Sequence, residues 1–400
     1  MGKNEKNLWD VIVIGAGASG MMAAITAAKN GKQVLILEKQ DKAGKKLLAT
    51  GNGKCNFTNE KMSIDCFHGD SEFVSGILDA FSVRDALAFF HSIGIFPKEK
   101  SGYYYPNSEQ ASSVVQALSD ELYRLGVTMS FGCHITGIQS THNKVNIHTR
   151  ECVFTCQKLI VATGLKAAPK LGSDGSLFDI IKQLGHTFRP VLPALCGFYC
   201  TGLDFKRISG VRAHGTVIAY IDDKEVARDT GEIQFTDYGL SGIPIFQISK
   251  FLSNGLYDKK KVEIGLNLLP EFDKKELIHE LEFRQKELNY KNIAKLLNGL
   301  LNQKLCEMIQ SQTLELDIEE LSHKLQHIRV SVTAYRDFEF AQVCSGGIPV
   351  TDINFKTLES IYSPNVYFAG EIIDVDGICG GYNLHFAWAT GYIAGKAVST

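Results

Sequence analysis

Along the first forty residues the apolar positions change period twice. DVIVIG, residues 10–15, is a short unbroken apolar run entered through Asp10 and closed by glycine, the pattern of a buried parallel strand. GASGMMAAITAAKNG follows as a helix that starts among glycines and stops at Gly31, and QVLILEK at 33–39 is a second buried strand. Together they predict one βαβ unit of about 30 residues. Apolar residues at helical spacing predict a helical hairpin over 71–95 and an amphipathic helix over 111–126. Strands alternate from 127 to 163 and close on KLIVATG. The stretch 190–270 has hairpin texture and no helical period, which predicts a mostly β insertion, and charged helices fill 272–327. The last 70 residues return to a strand, NVYFAGEIID, then a glycine-rich turn and the helix NLHFAWATGYIAGKAVS. No repeat or low-complexity linker separates these segments, so the domains are expected to interleave by insertion.

Composition narrows the class of function. A chain of 400 residues is expected to form two or three domains, and 44% hydrophobic residues supply ample core. The 42 basic and 44 acidic residues nearly cancel, to a formal charge of −2, so neither a nucleic-acid footprint nor a polybasic anchor is expected. A small-molecule substrate fits this balance better than RNA or a membrane. The N-terminal apolar run is too short for a signal segment, Lys6 spoils a myristoylation pattern, and no run approaches the ~20 apolar residues of a span, so a cytoplasmic protein is expected. The ten cysteines are scattered, and Cys152/Cys156 and Cys196/Cys200 lie in strand-like text at a spacing wider than zinc knuckles use. Reduced thiols and no metal are expected.

The chemistry begins with Gly15, Gly17 and Gly20, in G-x-G-x-x-G register between a strand and a helix. The first glycine permits a tight turn, the second lets backbone approach a pyrophosphate, and the third lets helix and strand pack closely. Glu38 ends the next strand 18 residues after Gly20, where a carboxylate accepts ribose hydroxyls. NAD and FAD share this unit. FAD is favoured because KLIVATG and NVYFAGEIID both end in small-residue turns, as two strands passing one extended cofactor would. The turn DGICGGYN then leads into a helix, so that Gly380, Gly381 and the amides of Asn383 and Leu384 face negative charge on a flavin pyrimidine edge. No second nucleotide fingerprint follows, since GLSGIP lacks the spacing and SGGIPV precedes no helical pattern. NADH or NADPH, as a transient co-substrate, would have to enter the substrate cleft itself.

The stretches GKKLLATGNGKCNFTN, GYYYPNSEQASSVVQAL, GEIQFTDYGLSG, AQVCSGGI and the long C-terminal NVYFAGEIIDVDGICGGYNLHFAWATGYIAGKA resemble the BaiN/YhiN-type flavoproteins, also grouped as aminoacetone-oxidase-like FAD enzymes. The likeness covers nearly the whole chain. It implies an α/β fold, with a Rossmann-like FAD-binding domain at 1–190 plus 335–400. A β-barrel-like insert is implied at 191–270 plus about 328–345, and a small helical domain at 271–327. It further implies that Gly15, Gly17, Ala18, Ser19 and Gly20 hold the pyrophosphate. Glu38 takes the adenosine ribose with Lys39 beside it among the cofactor-binding positions, the backbone at Ile135 meets the adenine, and Ala162, Thr163 and Gly164 lie near the diphosphate. Gly44, Lys45, Lys46, Leu47, Thr50, Gly51, Gly53, Lys54, Cys55 and Asn56 wrap the ribityl chain and ring, while Gly370, Glu371, Gly380, Gly381, Tyr382, Asn383 and Leu384 close the other side. The lysines of 39–54 are expected to meet FAD phosphates or solvent, and Cys55 to share a wall with Cys379. Two positions depart from the family pattern: Leu165 replaces a glycine, and His385 stands where a glutamine is usual.

The resemblance implies two activities, reduction of conjugated double bonds in 3-oxo bile-acid or steroid-like enones and oxidation of a small amino-ketone by oxygen. Ene-reduction needs a hydride from flavin N5 to the β carbon, an acid for the α carbon and donors on the ketone. Tyr382, His385, Tyr238 and Arg336 are the candidates, each with a packing role as the plain alternative. GYYYPN is a candidate aromatic wall for a flat, apolar, carbonyl-bearing substrate, or else the rim of a core. The expected function is therefore an FAD-dependent, NAD(P)H-linked enone reductase. The alternatives are the amino-ketone oxidase and an RNA-associated flavoprotein.

Overall fold

In a computed structural model of the chain, described for residues 8–313 and 315–400, two compact units form, Met1–Val191 with Gln342–Thr400 and Leu192–Ala341. Lys6 lies outside the described residues. The first unit is built on a sheet whose strands run in the order Thr128–Ser130, Val34–Leu37, Leu8–Ile14, Val153–Val161, Val145–Thr149 and Ile135–Ser140. The first four are parallel, and Val366–Phe368 joins Val153–Val161 in parallel along its second half. Val11–Ile14 are buried on both faces, which is why their text is continuously apolar instead of alternating. Of NVYFAGEIID only Val366–Phe368 stay in the sheet, because Gly370 turns the chain away at φ +81°.

Helix Ala18–Lys29 is buried from Ser19 to Ala27, and helix Tyr382–Ala397 lies directly on it. Close approach is enforced by Gly391 and Gly395, where an added Cβ would come within 2.4 Å of Ser19 O and 2.5 Å of Ala23 O. Glycines one turn apart thus make a groove for a neighbouring backbone. From within this helix, Trp388 donates from Nε1 to Phe57 O at 3.0 Å, and Phe90 packs against Phe57 at a tilt and against Trp388 edge-on. This aromatic core fixes residues 55–59 against the C-terminal helix. Thr58–Asn59, Tyr103–Pro106 and Pro97–Lys100 form a small antiparallel sheet with Tyr103–Pro106 in the middle.

The second unit holds a closed antiparallel barrel of Phe198–Thr201, Gly239–Ser241, Lys224–Phe235, Arg212–Ile221, Val262–Asn267 and Ile328–Tyr335. The reading of 190–270 as free of helical period needs one correction, since Ile243–Tyr257 is a helix. It starts at Gly242-Ile243-Pro244, where proline presets the first turn, and its many buried apolar positions blur the period that would reveal it. The helices within 274–326 belong to this same unit. Among the described residues no helix is long and apolar enough to cross a membrane, and no cluster of His, Cys, Asp or Glu is placed to hold a metal.

Candidate functional site

The glycine loop separates its three roles cleanly. Gly15 has φ +102°, and a Cβ there would sit 2.5 Å from Ala162 O. A Cβ on Gly20 would fall 1.9 Å from Gly15 O, whereas one on Gly17 would meet nothing within 4 Å. The first and third glycines are therefore demanded by the fold, and the second leaves open space beside backbone amides. Gly17 caps helix Ala18–Lys29 without any side-chain acceptor, so the first-turn N–H groups of Ala18 and Ser19 stay available to an anion. Glu38 accepts from Ala16 N at 2.6 Å and from Gln40 N at 2.7 Å, which fixes its carboxylate beside the loop with lone pairs to spare for a diol. Cys133 N bonds Glu38 O at 2.9 Å, which brings the approach to Ile135 alongside.

Gly44 N bonds Ala16 O at 2.9 Å and returns the chain to the glycine loop. From there Gly51, Asn52, Gly53 and Cys55 all take positive φ, between 53° and 80°, so the segment turns sharply with few side chains in the way. Leu47 is buried beneath it, and Thr50 Oγ1 donates to Leu47 O at 2.6 Å. An open cavity of about 370 Å³ lies between Lys42, Lys45, Leu48 and Ala49 on one side and Lys170 and Leu171 on the other. On the far side of the unit's site, Ala162 to Gly164 leave the sheet, and Gly164 at φ +65° sits against Ser173 Oγ and Glu371 Oε2.

Whether these residues suit a flavin dinucleotide can be tested on buried polar atoms without partners. Asn56 Oδ1 and Ser173 Oγ are such atoms, the first beside Gly381 and the second beside Gly164. Each costs about 1–3 kcal/mol unless something satisfies it. Helix Tyr382–Ala397 likewise begins at Gly381, φ +91°, with no side-chain cap and no acidic residue in its first turn. A Cβ on Gly381 would press to 2.8 Å from Asn56 Oδ1, so the uncapped amides and the orphaned amide oxygen are neighbours. Asn383 clamps the turn, accepting from Gly377 N at 2.8 Å and donating to Gly377 O at 2.7 Å. Orphaned acceptor, uncapped amides and open glycine backbone fit FAD.

Several expectations change. The lysines find carboxylates inside the protein. Lys39 bonds Asp174, and Lys45, Lys46 and Lys54 reach Asp41, Glu371 and Glu109 at 2.6, 2.7 and 2.8 Å. Their charge is already offset, so they position loops more than they neutralise phosphate. Lys46–Glu371 ties the 44–56 segment to Gly370–Glu371, and Glu371 Oε1 also accepts from Cys344 N at 2.8 Å. Cys55 is wholly buried, and burial pushes its thiol up to about 12. That is a correction to a wall thiol shared with half-buried Cys379. Cys156, Cys196, Cys200 and Cys344 are pushed to about 12 for the same reason, while Cys152 lies just outside the strand Val153–Val161 and is exposed. Iodoacetamide at pH 8 should therefore label Cys152 in the native protein and the six buried thiols, Cys306 included, only after unfolding, as peptide mapping would show.

His385 requires the larger correction. Its ring is fully buried, with Nε2 3.0 Å from Phe81 O and Nδ1 2.9 Å from Thr58 Oγ1. A carbonyl only accepts, so Nε2 carries the proton and Nδ1 accepts from the hydroxyl, leaving neither nitrogen for substrate. Burial pulls its pKa down to about 4. The unfolded chain, with histidine near 6.5, takes up the proton first as pH falls. Stability is thus complete above about 6.5 and drains towards pH 4, at up to ~1.4 kcal/mol per pH unit. His186 is lowered by burial too, so the diagnostic quantity is a difference. His385→Gln should flatten the melting temperature against pH between 4.5 and 6.5 relative to the parent, by differential scanning fluorimetry.

Tyr382 is nearly buried, packs edge-on to Phe67 at 6.0 Å, and its hydroxyl hydrogen-bonds the Cys66 thiol. Burial raises its pKa well above the phenol range, so it keeps its proton. Cys66 and Asp174 carried no sequence signal, because each acquires its role from a residue more than a hundred positions away. Tyr238 and Arg336 belong to the second unit and come together there. The Arg336 guanidinium carbon lies 4.2 Å from the Tyr238 ring centre and 3.7 Å from that of Phe340.

Residues 9–397 match the model of the HI0933-like protein Rossmann domain. The chain is 38% identical to the 3-dehydro-bile acid delta(4,6)-reductase of Clostridium scindens, over 97% of this chain and 98% of that one. It is 27% identical to the ribosomal RNA dihydrouridine synthase of Escherichia coli K12, over 96% of each. Among solved structures it resembles the 3-ketosteroid-delta4-(5alpha)-dehydrogenase of Rhodococcus jostii RHA1, with a TM-score of 0.53, 13% identity and coverage of 99% and 98%. At that identity the likeness is one of fold.

Proposed function

This chain belongs to the HI0933-like Rossmann-domain family and is an FAD-dependent oxidoreductase, and from that premise we propose that it reduces a carbon–carbon double bond conjugated to a ketone in a flat, apolar substrate, with NADH or NADPH as electron source. The observation that carries the reading is the full-length identity of 38% to a reductase of 3-dehydro-bile acids. When bound, FAD supplies the hydride-transferring centre. The chain's own part is to hold that group and to handle a proton. The amides at Gly17–Ser19 hold the diphosphate, Glu38 takes the ribose, and Asn56 with the amides of Tyr382–Leu384 receives the polar edge of the ring. Saturating the bond adds a hydride at the β carbon and a proton at the α carbon, and Tyr382 is assigned the proton. Its hydroxyl stays protonated across the working pH range, and Cys66 holds it in orientation.

A second reading is favoured by the full-length relative named for ribosomal RNA dihydrouridine. Forming dihydrouracil also saturates a double bond conjugated to a carbonyl, so one proton donor would serve either substrate. Anaerobic stopped-flow of the yellow protein with NADH and NADPH tests the shared half. Loss of the flavin band with one of them is expected, and no bleaching with either removes the reductase reading. Re-oxidation by a 3-oxo-4-ene steroid acid, set against uracil-containing ribosomal RNA, separates the two substrates. Rapid peroxide release with aminoacetone instead would point to an oxidase.

A further inference from the structure

We infer that Arg336 makes the second unit a reader of organic carboxylates: an amphipathic acid lays its apolar body on the rings around the guanidinium and sets its carboxylate on the guanidinium itself. The residue ends strand Ile328–Tyr335, where Arg336 N bonds Gly197 O at 2.9 Å and fixes the side chain's origin. Its guanidinium carbon is 3.7 Å from the Phe340 ring centre, 4.2 Å from Tyr238 and 5.7 Å from Tyr199. Tyr199 and Tyr238 themselves pack at 5.3 Å. Yet Phe340 is 54% exposed and Tyr199 40%, so two of these rings offer apolar surface to an incoming molecule. The guanidinium Nε is buried and finds no acceptor among the described residues.

Rings can stack a guanidinium, but they cannot accept all of its forked N–H groups. A planar fork held by aromatic faces matches one carboxylate bidentately. Lysine would not substitute, because a point charge neither stacks nor forks. Exposed Phe340 and Tyr199 suit a fused-ring or long apolar body attached to a single negative charge, while the flanking exposed carboxylates of Asp237, Asp337 and Glu339 disfavour a body carrying more than one. This assigns Arg336 to substrate selection rather than to polarising a ketone, and it rests on the reading of an apolar carbonyl substrate given above.

The test is equilibrium binding to the FAD-loaded enzyme, by calorimetry, of cholate below its micellar concentration and of its neutral primary amide. The parent should prefer the acid by about tenfold. Arg336→Met should abolish that preference while leaving the amide's affinity within about twofold, and Arg336→Lys should recover only part of it. Phe340→Ala, at an exposed position, should weaken acid and amide alike. An unchanged acid-to-amide ratio in Arg336→Met, with melting temperature retained, overturns the inference. If Arg336→Met does not fold, an equal affinity of the parent for acid and amide overturns it as well. Because no turnover is involved, failure to reduce any enone would count against the proposed reaction and leave this result standing.

Discussion

Replacing Tyr382 by phenylalanine should slow re-oxidation of the reduced enzyme by an enone roughly 10²–10⁴-fold, the range expected when a positioned proton donor is lost. Reduction by the pyridine nucleotide should stay within about twofold, because no proton goes to substrate carbon in that half. Phenylalanine keeps the edge-on contact with Phe67, so only the hydroxyl and its bond to Cys66 disappear. Flavin affinity and melting temperature serve as controls and should barely move. Rapid-mixing traces of the two half-reactions check the result. Equal loss in both halves would mean the ring merely supports the cofactor, and no loss in either would transfer the proton to another group.

The second large effect divides the glycine loop. Gly17→Ala should leave the apoprotein as stable as the parent, since φ is −86° and the added methyl meets nothing within 4 Å. Its FAD affinity should nevertheless fall by roughly 10- to 100-fold, because the methyl occupies the space through which a pyrophosphate approaches the amides. Gly20→Ala should do the reverse. A methyl 1.9 Å from Gly15 O forces the helix off the strand, at a cost on the order of 3 kcal/mol or more, before any cofactor is considered. Melting curves of the apoproteins and fluorescence titration with FAD distinguish the two. If Gly17→Ala binds FAD as the parent does, the loop does not hold the diphosphate.

Much of the glycine-loop geometry could be read from sequence because its determinants are local. Gly15, Gly17, Gly20 and Glu38 owe their positions to a turn, a helix start and a strand end within about 25 residues, and the fold brings all four together. The positive-φ turn Gly51–Gly53 is likewise written in its two glycines and asparagine. What sequence hides is direction. His385 looks available for chemistry beside a glycine turn, but the helix register aims it inward between Phe81 O and Thr58. Lys46 looks ready for a phosphate until Glu371, 325 positions away, takes its ammonium. Helix Ile243–Tyr257 shows no clear helical period in the sequence, because residues buried on more than one face mask it. Each depends on contacts that no local window contains.

The seating of helix Tyr382–Ala397 on helix Ala18–Lys29 also sets a timetable for biogenesis. Ser19 donates to Ala369 O across 350 positions, and the Gly391 and Gly395 groove closes only when the later helix arrives. At about 5–20 residues per second, a ribosome needs roughly 20–70 s to span that interval. Throughout it, the face of the glycine-loop helix that receives Gly391 and Gly395 has no mate. Flavin capture therefore waits on the synthesis of residues 369–397, and the nascent βαβ unit is the segment a chaperone would be expected to shield.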